Sequence, residues 1–281
     1  MTTEHGVKVY FQLEVAQRLD VQVISNTNIS VSKDLLDRMY ETVQGSELRD
    51  WCQSCGLLKP GSDFTDRAGR SKPISVKEAR TFIVNYFRGR EAAAIEFNEQ
   101  DTTPIIVKHG EKNPEPWRNV KANYPNLWQD EGLMRAGREF ARLIQSQLAA
   151  FTDKNGKLIG KADARNKASN AALQAGWAFV AGYLEGNPVR LQRHFDLADK
   201  RTSHGPLRPD LLANGRHASD PENYRGLGFR TDNKERGRFA ELFFMQAEKG
   251  SGITKGLVDA AIQQYEAKQA ALRAKELKDR V

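Results

Sequence analysis

A nearly apolar run at residues 171–184 is the feature that most constrains how this chain can fold. Its length is well short of the ~20 residues that a membrane-spanning helix needs, so it predicts that the helix expected at residues 163–184 is buried in a protein core. Residues four apart share one helix face. Ala168, Ala172 and Gly176 therefore predict a face on which another helix approaches closely, and we expect Trp177, Phe179 and Tyr183 to be core residues.

The N-terminal region alternates apolar and polar residues, which predicts a half-buried β-strand at residues 7–15. Val21, Val23 and Ile24 continue the pattern after a short connection, which favours an antiparallel hairpin. The β-branched run at residues 103–107 is expected to join this sheet. The predicted fold class is α+β and mainly helical, with a small β element and helices first and a helical C-terminal part after it.

Helix starts are marked by capping residues along the chain. Either Ser30 or Ser32 can cap the helix with the stripe Leu35, Leu36, Met39, Tyr40 and Val43, and Ser75 with Glu78 has the form of a capping box. The last two predicted helices have corresponding signals: Asp232 with Glu235 for the first and Thr254 for the second. The second of them is expected to end as an exposed tail from residue 268 onward.

The charge is unevenly distributed, and its distribution suggests two domains. The net charge is +7; residues 1–120 hold 16 Lys and Arg against 17 Asp and Glu, whereas residues 121–281 hold 27 against 19. Pro114, Pro116 and Pro125 mark a linker where this balance changes. We therefore predict a small α+β domain at 1–120 and a basic helical domain at 121–281. An arginine-rich excess favours a polyanionic partner, because the guanidinium group binds phosphate through two hydrogen bonds.

Residues 201–238 form the longest predicted loop, because they are rich in Gly, Pro, Asn, Asp and Ser. A loop of this length is typically either functional or disordered. Its candidate nucleic-acid-binding residues are Arg201, Arg208, Arg216, Arg225, Arg230, Arg236 and Arg238, with Tyr224 and Phe229 as aromatic partners. Arg135, Arg138 and Arg142 share one face of an earlier helix, where they either follow phosphates or pair with Asp130, Glu131 and Glu139.

The two cysteines, Cys52 and Cys55, allow three interpretations. W-C-x-x-C followed by Pro60 is similar to the thioredoxin active site, although the polar residues 44–50 before it are not strand-like. C-x-x-C-G-x-x-K-P-x-x-x-F looks like the first half of a zinc ribbon, for which the second pair of ligands is absent. The third interpretation is two ordinary thiols in a turn.

Enzyme motifs are sparse. The chain has no P-loop, no G-x-S-x-G and no H-E-x-x-H. Pro209-Asp210 followed by Asp232-Asn233-Lys234 has the order of a P-D…D-x-K nuclease, in which Asp210 and Asp232 would hold Mg²⁺ and Lys234 would activate water. Apart from zinc or magnesium at these positions, no cofactor is expected, and we expect a binding protein and not an enzyme.

The predicted function is nucleic-acid binding, to DNA or RNA, through phosphate contacts of the basic C-terminal part. Two alternatives stay open: a protein-interaction or accessory subunit, including self-association through the C-terminal helix, and the magnesium-dependent nuclease. The N-terminus has no signal-peptide pattern, and two cysteines do not make a disulfide framework, so a cytoplasmic protein without a membrane anchor is expected.

Overall fold

The computed structural model describes residues 11–14, 17–18, 21, 32–66, 74–165, 167–215 and 226–279. These residues form helices joined by loops, with an isolated β-bridge between Thr152 and Leu158 and no β-strand. The helices are α1 (Lys33–Gln44), α2 (Glu47–Ser54), α3 (Val76–Ala92), α4 (Glu115–Asn123), α5 (Glu131–Ala149), α6 (Ala162–Arg165), α7 (Ala171–Tyr183), α8 (Pro188–Phe195), α9 (Pro209–Ala213), α10 (Asn233–Lys249) and α11 (Lys255–Lys278). None of them is both long and apolar enough to cross a membrane.

The α+β prediction is wrong, because the described residues are all-helical. Residues 7–10, 15 and 22–24 of the predicted hairpin lie outside the described residues, and 11–14 are not a strand. Residues 103–107 form no strand, and side chains of α3 bond the backbone of Ile105 and Val107. Asn85 accepts from the Ile105 N–H at 2.9 Å and donates to its carbonyl at 2.8 Å, and the Thr81 hydroxyl accepts from the Val107 N–H at 3.2 Å. A β-branched run therefore lies along a helix without a strand partner.

Helix α7 is the centre of the structure, and residues 172–182 are all buried. It crosses α3 at glycines on both helices. A Cβ at Gly182 would overlap the carbonyl oxygen of Tyr86, and a Cβ at Gly89 would overlap the carbonyl oxygen of Phe179. The two backbones are therefore in direct contact, which only residues without a side chain permit.

The opposite side of α7 contacts α10 in the same way, as the small-residue spacing predicted. A Cβ at Gly176 would lie 2.8 Å from the Cβ of Phe239 and 2.9 Å from the Ala240 nitrogen. Trp177 and Phe179 are buried, which confirms their assignment to the core, whereas Tyr183 is only half-buried. Helix α10 in turn meets α11 where Gly237 lies against the ring of Tyr265.

The aromatic core continues across the predicted domain boundary near residue 120. The ring of Phe82 in α3 lies 5.3 Å from Phe140 in α5 and 5.9 Å from Trp177, and Phe140 lies 5.0 Å from Trp177. One cluster of buried side chains includes members from both sides of the boundary, the first in sequence being Leu48 and the last Ile262. The two-domain division stays a prediction, and helices from both sides of the boundary share this core.

Helix α1 buries its acidic face and not its apolar stripe. Asp34, Asp37 and Glu41 are buried, while Leu35, Leu36, Met39, Tyr40 and Val43 are half-buried. The Asp37 carboxylate lies 2.5 Å from the His109 ring, and Glu41 forms an ion pair with the buried Arg80. Buried charges need partners, so these basic side chains determine which face of α1 turns inward.

A buried ion pair anchors the middle of α11. Lys268 pairs with Glu241 of α10, and both side chains are 1% exposed. The Lys268 ammonium also donates to the Phe97 carbonyl at 3.1 Å and to the Thr102 hydroxyl. After Lys268 the helix has no buried residue, so the predicted exposed tail begins one residue later than expected.

We predict that Gly182→Ala lowers the free energy of unfolding by about 1–3 kcal/mol or more, because the methyl group must separate α7 from α3. Gly256→Ala is the matched control, since a Cβ at Gly256 in α11 meets nothing within 4 Å. Urea unfolding of both variants tests this. Equal stability of the two would show that the crossing is looser than described.

A second prediction concerns His194, which is buried between Trp177 and Phe195. Burial lowers the pKa of His194 to about 3, whereas an unfolded histidine titrates near 6.5. The unfolded chain therefore takes up a proton that the folded chain excludes. The contribution of the buried, neutral His194 ring to the free energy of unfolding is complete above about pH 6.5 and is lost as the pH falls towards 3.

At pH 5 this loss amounts to roughly 2 kcal/mol relative to pH 7. We expect His194→Gln to remove that part of the pH dependence in urea titrations, whatever its effect at pH 7. His204→Gln is the control, because His204 is 51% exposed. An unchanged pH dependence in His194→Gln would contradict the buried, neutral state of this ring.

Candidate nucleic-acid interface

The predicted loop at 201–238 contains helical residues in the parts that the structure describes. Its described parts are residues 201–215, which include α9, and 226–238, which lead into α10. Arg216, Tyr224 and Arg225 lie outside the described residues. Gln147 of α5, which is fully buried, holds the first part: it donates to the His204 carbonyl at 3.1 Å and accepts from the Leu207 N–H at 3.0 Å.

Arg236 and Arg238 make contacts within the fold. Arg236 donates to the Pro104 carbonyl at 2.7 Å and to the Thr231 carbonyl at 2.7 Å. Arg238 is buried and pairs with Glu266 of α11 at 2.7 Å. Both guanidinium groups therefore hold α10 to its neighbours, which leaves few of their donors for a ligand.

Arg208 is paired within the loop. Its guanidinium group donates to both carboxylate oxygens of Asp210, from Nε at 2.9 Å to Oδ1 and from Nη2 at 2.7 Å to Oδ2. Its backbone is left-handed, with φ 45° and ψ 60°, which is uncommon for a residue other than glycine. Pairing with Arg208 holds the pKa of Asp210 below its ordinary value, so this carboxylate is ionised at neutral pH.

Arg201, Arg230 and Phe229 are the candidates that remain accessible. The two arginines are exposed, and within the part of the chain that the structure describes their side chains form no hydrogen bond or ion pair. Phe229 is 59% exposed, although aromatic rings of this size are normally buried. An exposed aromatic ring therefore precedes an exposed guanidinium group for which the described residues supply no partner.

The three arginines of the row on α5 differ in their contacts. Arg142 pairs with Glu139 at 2.7 Å and with Asp199, so it belongs to the fold. Arg135 is exposed and donates to Gln192 at 2.8 Å. Arg138 is exposed, and no partner of its side chain is found among the described residues.

Phe229 lies at a cleft of about 420 Å³, which we call the Phe229 cleft. Its lining combines two aromatic rings, three basic side chains and one acid: Phe151, Phe229, Lys161, Lys167, His204 and Asp210. A ligand cleft of 300–1,000 Å³ is the usual size for a small molecule or one nucleotide. The lining residues come from four stretches of the chain, at 151, 161–167, 204–213 and 228–229, and sequence spacing did not indicate Lys161 or Lys167.

Gly228 positions the cation nearest to the aromatic ring. Its φ is +88°, and a side chain at this position would overlap the Lys167 ammonium. The ammonium lies 5.7 Å from the centre of the Phe229 ring, within the range of a cation–π contact. The Gly228 N–H donates to buried Glu235, and its carbonyl accepts from Asn170 at 3.1 Å. The start of α10 and the start of α7 therefore jointly fix this corner of the cleft.

A second cleft, of about 530 Å³, lies along the same loop. Arg142, Arg201 and Thr202 line it, together with Gly205 and Pro206. His204 and Gly205 are adjacent residues that line different clefts, so residues 201–210 form part of both walls. Arg201 is therefore placed to extend the basic surface beyond the Phe229 cleft.

The two cysteines are buried in the core, and Cys55 lies beside Gly137 of α5. Burial raises the pKa of the Cys55 thiol to about 11, and burial raises the pKa of Cys52 well above its ordinary value. Both thioredoxin-type exchange and zinc binding need thiolates. Among the described residues, no group of three or more His, Cys, Asp or Glu side chains is arranged to hold a metal ion.

The residues of the nuclease pattern lie at helix starts and not on adjacent strands. Asp232 caps α10 by accepting from the Glu235 N–H at 3.0 Å, and Lys234 is exposed in the first turn. Asp210, in α9, is paired with Arg208, the residue that precedes this helix. A P-D…D-x-K core needs neighbouring strands, so this geometry gives the nuclease hypothesis no support.

Comparisons of the chain with protein-family models, with curated proteins and with solved structures find no match.

We predict that neither thiol reacts with Ellman's reagent in the folded protein at pH 8, and that both react after unfolding in guanidinium chloride. The reason is that a buried thiol with a raised pKa forms almost no thiolate at this pH. Rapid reaction in the folded state would favour the redox interpretation. Stoichiometric zinc in elemental analysis would favour the zinc interpretation.

Proposed function

We propose that the protein binds single-stranded nucleic acid at the Phe229 cleft, through phosphate contacts and base stacking. The observation that carries this proposal is the exposed ring of Phe229 beside the Lys167 ammonium. Every base offers a π-face, and stacking on an aromatic side chain contributes about 1–3 kcal/mol per base. A bare aromatic ring with cations around it is the combination that such binding requires.

Exposed cations around the cleft supply the phosphate contacts. Lys161 lies in its wall, and Arg230 follows the stacking ring directly in sequence. Arg201 lines the adjoining cleft. Basic groups that neutralise phosphates release condensed counterions, so binding through them must weaken with salt. The paired residues Arg208, Arg236 and Arg238 are not part of this proposed surface.

Self-association or an accessory role in a larger assembly is the second candidate. It is favoured by the last turns of α11, in which residues after Lys268 contain no buried side chain and Leu277 is 64% exposed. Light scattering of the full chain against a variant that ends at residue 268 separates this role from nucleic-acid binding. The cytoplasmic location stays a prediction.

We predict that Arg230→Gln reduces the slope of log K against log salt by roughly 0.7 for single strands. Phe229→Ala should weaken binding by about 5- to 150-fold with an unchanged salt slope, because stacking releases no counterions. Fluorescence anisotropy of labelled single-stranded DNA and RNA at several salt concentrations measures both effects.

Arg236→Gln is the matched control, since its guanidinium group is bonded to the Pro104 and Thr231 carbonyls. We expect it to lower the thermal midpoint and to leave the salt slope unchanged. The opposite pattern, in which Arg236→Gln alters the slope and Arg230→Gln does not, would place the phosphates elsewhere. No binding of either strand at low salt would contradict the proposed function.

A further inference from the structure

A short hairpin lies between α5 and α6, and we call residues 151–161 the Leu158 hairpin. Its first and last residues, Phe151 and Lys161, line the Phe229 cleft. The Ile159 N–H donates to the Phe151 carbonyl at 2.7 Å, which closes the hairpin next to the cleft. Stacking on the Phe229 ring does not involve the rest of this segment, so its surface has no role in the proposed function.

The turn of the hairpin is held by its own polar groups. One carboxylate oxygen of Asp153 accepts from the N–H groups of Asn155 and Lys157, both at 2.9 Å. The Asp153 N–H donates to the Lys157 carbonyl at 2.9 Å. At the other end, the Arg165 guanidinium group donates to the Gly160 carbonyl. A segment that is fixed in this way loses little conformational entropy when it binds a ligand.

Both faces of the hairpin carry an exposed apolar side chain. Thr152 and Leu158 form the β-bridge, and successive side chains of an extended chain point to opposite faces. Leu158 is therefore on one face, and Ile159 is on the other face together with Phe151. Because Phe151 lines the cleft, Ile159 is on the cleft side of the hairpin and Leu158 is on the far side. Leu158 is 45% exposed and Ile159 is 49% exposed.

The remaining surface of the hairpin is basic. Lys154, Lys157 and Lys161 are exposed, and Asp153, the one acid of the segment, is engaged in the turn. A nucleic acid matches this combination, because its backbone is polyanionic and its bases offer faces for apolar contact. A lipid surface would instead favour apolar side chains on a single face.

An apolar side chain on each face is what a wedge between two strands requires. Proteins that bend or open nucleic acid insert side chains such as Leu and Ile between bases. Where a duplex opens, one unpaired base lies on each side of the fork. The hairpin can contact both bases at once, one through Ile159 and the other through Leu158.

We propose that the protein binds the fork at which a duplex opens into single strands, with the Leu158 hairpin between the two strands. One strand crosses Ile159 and enters the Phe229 cleft, while the first unpaired base of the other strand lies against Leu158. The exposed lysines contact the phosphates. This inference rests on the proposed function and deepens it, because it names the form of nucleic acid that is bound.

The test measures the fluorescence anisotropy of three labelled DNAs: a fork with two unpaired arms, the same fork with one arm made abasic, and a single strand with the sequence of the intact arm. The abasic arm keeps its phosphates and lacks bases, so it isolates the contact with Leu158. We expect the wild-type protein to bind the intact fork roughly 3- to 10-fold more tightly than the abasic fork, the gain that burial of one half-exposed leucine allows. The single strand should bind more weakly than either fork, because it lacks the duplex phosphates.

Leu158→Ser should make the affinities for the two forks equal. Ile159→Ser should weaken binding of both forks, because each fork places its intact arm on this side of the hairpin. Val189→Ser is the matched control, since Val189 is 62% exposed in α8 and is not among the residues that line either cleft. Circular dichroism checks that the variants fold. The comparison of the two forks by the wild-type protein needs no variant, so it holds even if the Leu158 variant unfolds.

Four results would overturn the inference. Equal binding of the intact and abasic forks by the wild-type protein would leave single-strand binding in place and remove the wedge. A preference for the intact fork that survives in folded Leu158→Ser would place the wedge elsewhere. Sedimentation with vesicles of phosphatidylserine and phosphatidylcholine that is lost in Leu158→Ser, without a preference for the intact fork, would assign the hairpin to a lipid surface. No binding of any of the three DNAs at low salt would contradict both the inference and the proposed function.

Discussion

The close crossings of α7 are the constraint on which the rest of the structure depends. At Gly182 the helix touches the backbone of α3, and at Gly176 it touches the backbone of α10. Both contacts are possible only without a side chain, so α3, α7 and α10 have fixed positions relative to one another. Helix α3 then binds residues 105–107 through Thr81 and Asn85. Helix α10 holds Gly228 through Glu235. The crossings thus fix the helix that holds residues 105–107 on one side and the helix that holds the Gly228 corner of the Phe229 cleft on the other.

Arginines have two different roles around this scaffold, and the burial of each side chain decides which role it has. A guanidinium group that leaves water needs partners for its donors, which Arg80 finds in Glu41 and Arg238 finds in Glu266. Arg230 and Arg201 stay in water and have no such requirement. A basic sequence segment therefore contributes first to the stability of the fold, and only its exposed members are left for a polyanionic partner.

The candidate site was predictable in part. Composition identified residues 201–238 as the segment of interest, and Arg201, Phe229 and Arg230 lie there exposed as a binding surface requires. Spacing along the chain did not separate these residues from Arg236 and Arg238, because pairing depends on which carboxylates and carbonyls come close in the fold. Lys161 and Lys167 were missed for the same reason. Lys167 lies near the Phe229 ring and Lys161 lines the same cleft because of how the helices pack, which no local sequence pattern indicates.

The sequence by itself determined the local features of the fold. The caps Ser32, Ser75, Asp232 and Thr254 start the helices that they were expected to start, because capping involves only residues two or three apart. The small residues of α7 marked a close crossing. Only the tertiary structure decided that residues 103–107 have no strand partner, since side chains of α3 bond the backbone of Ile105 and Val107 and Arg236 bonds the Pro104 carbonyl. It also decided that α1 turns its acids inward, because Arg80 supplies a buried opposite charge to Glu41 and the His109 ring contacts Asp37, and both partners are distant in sequence.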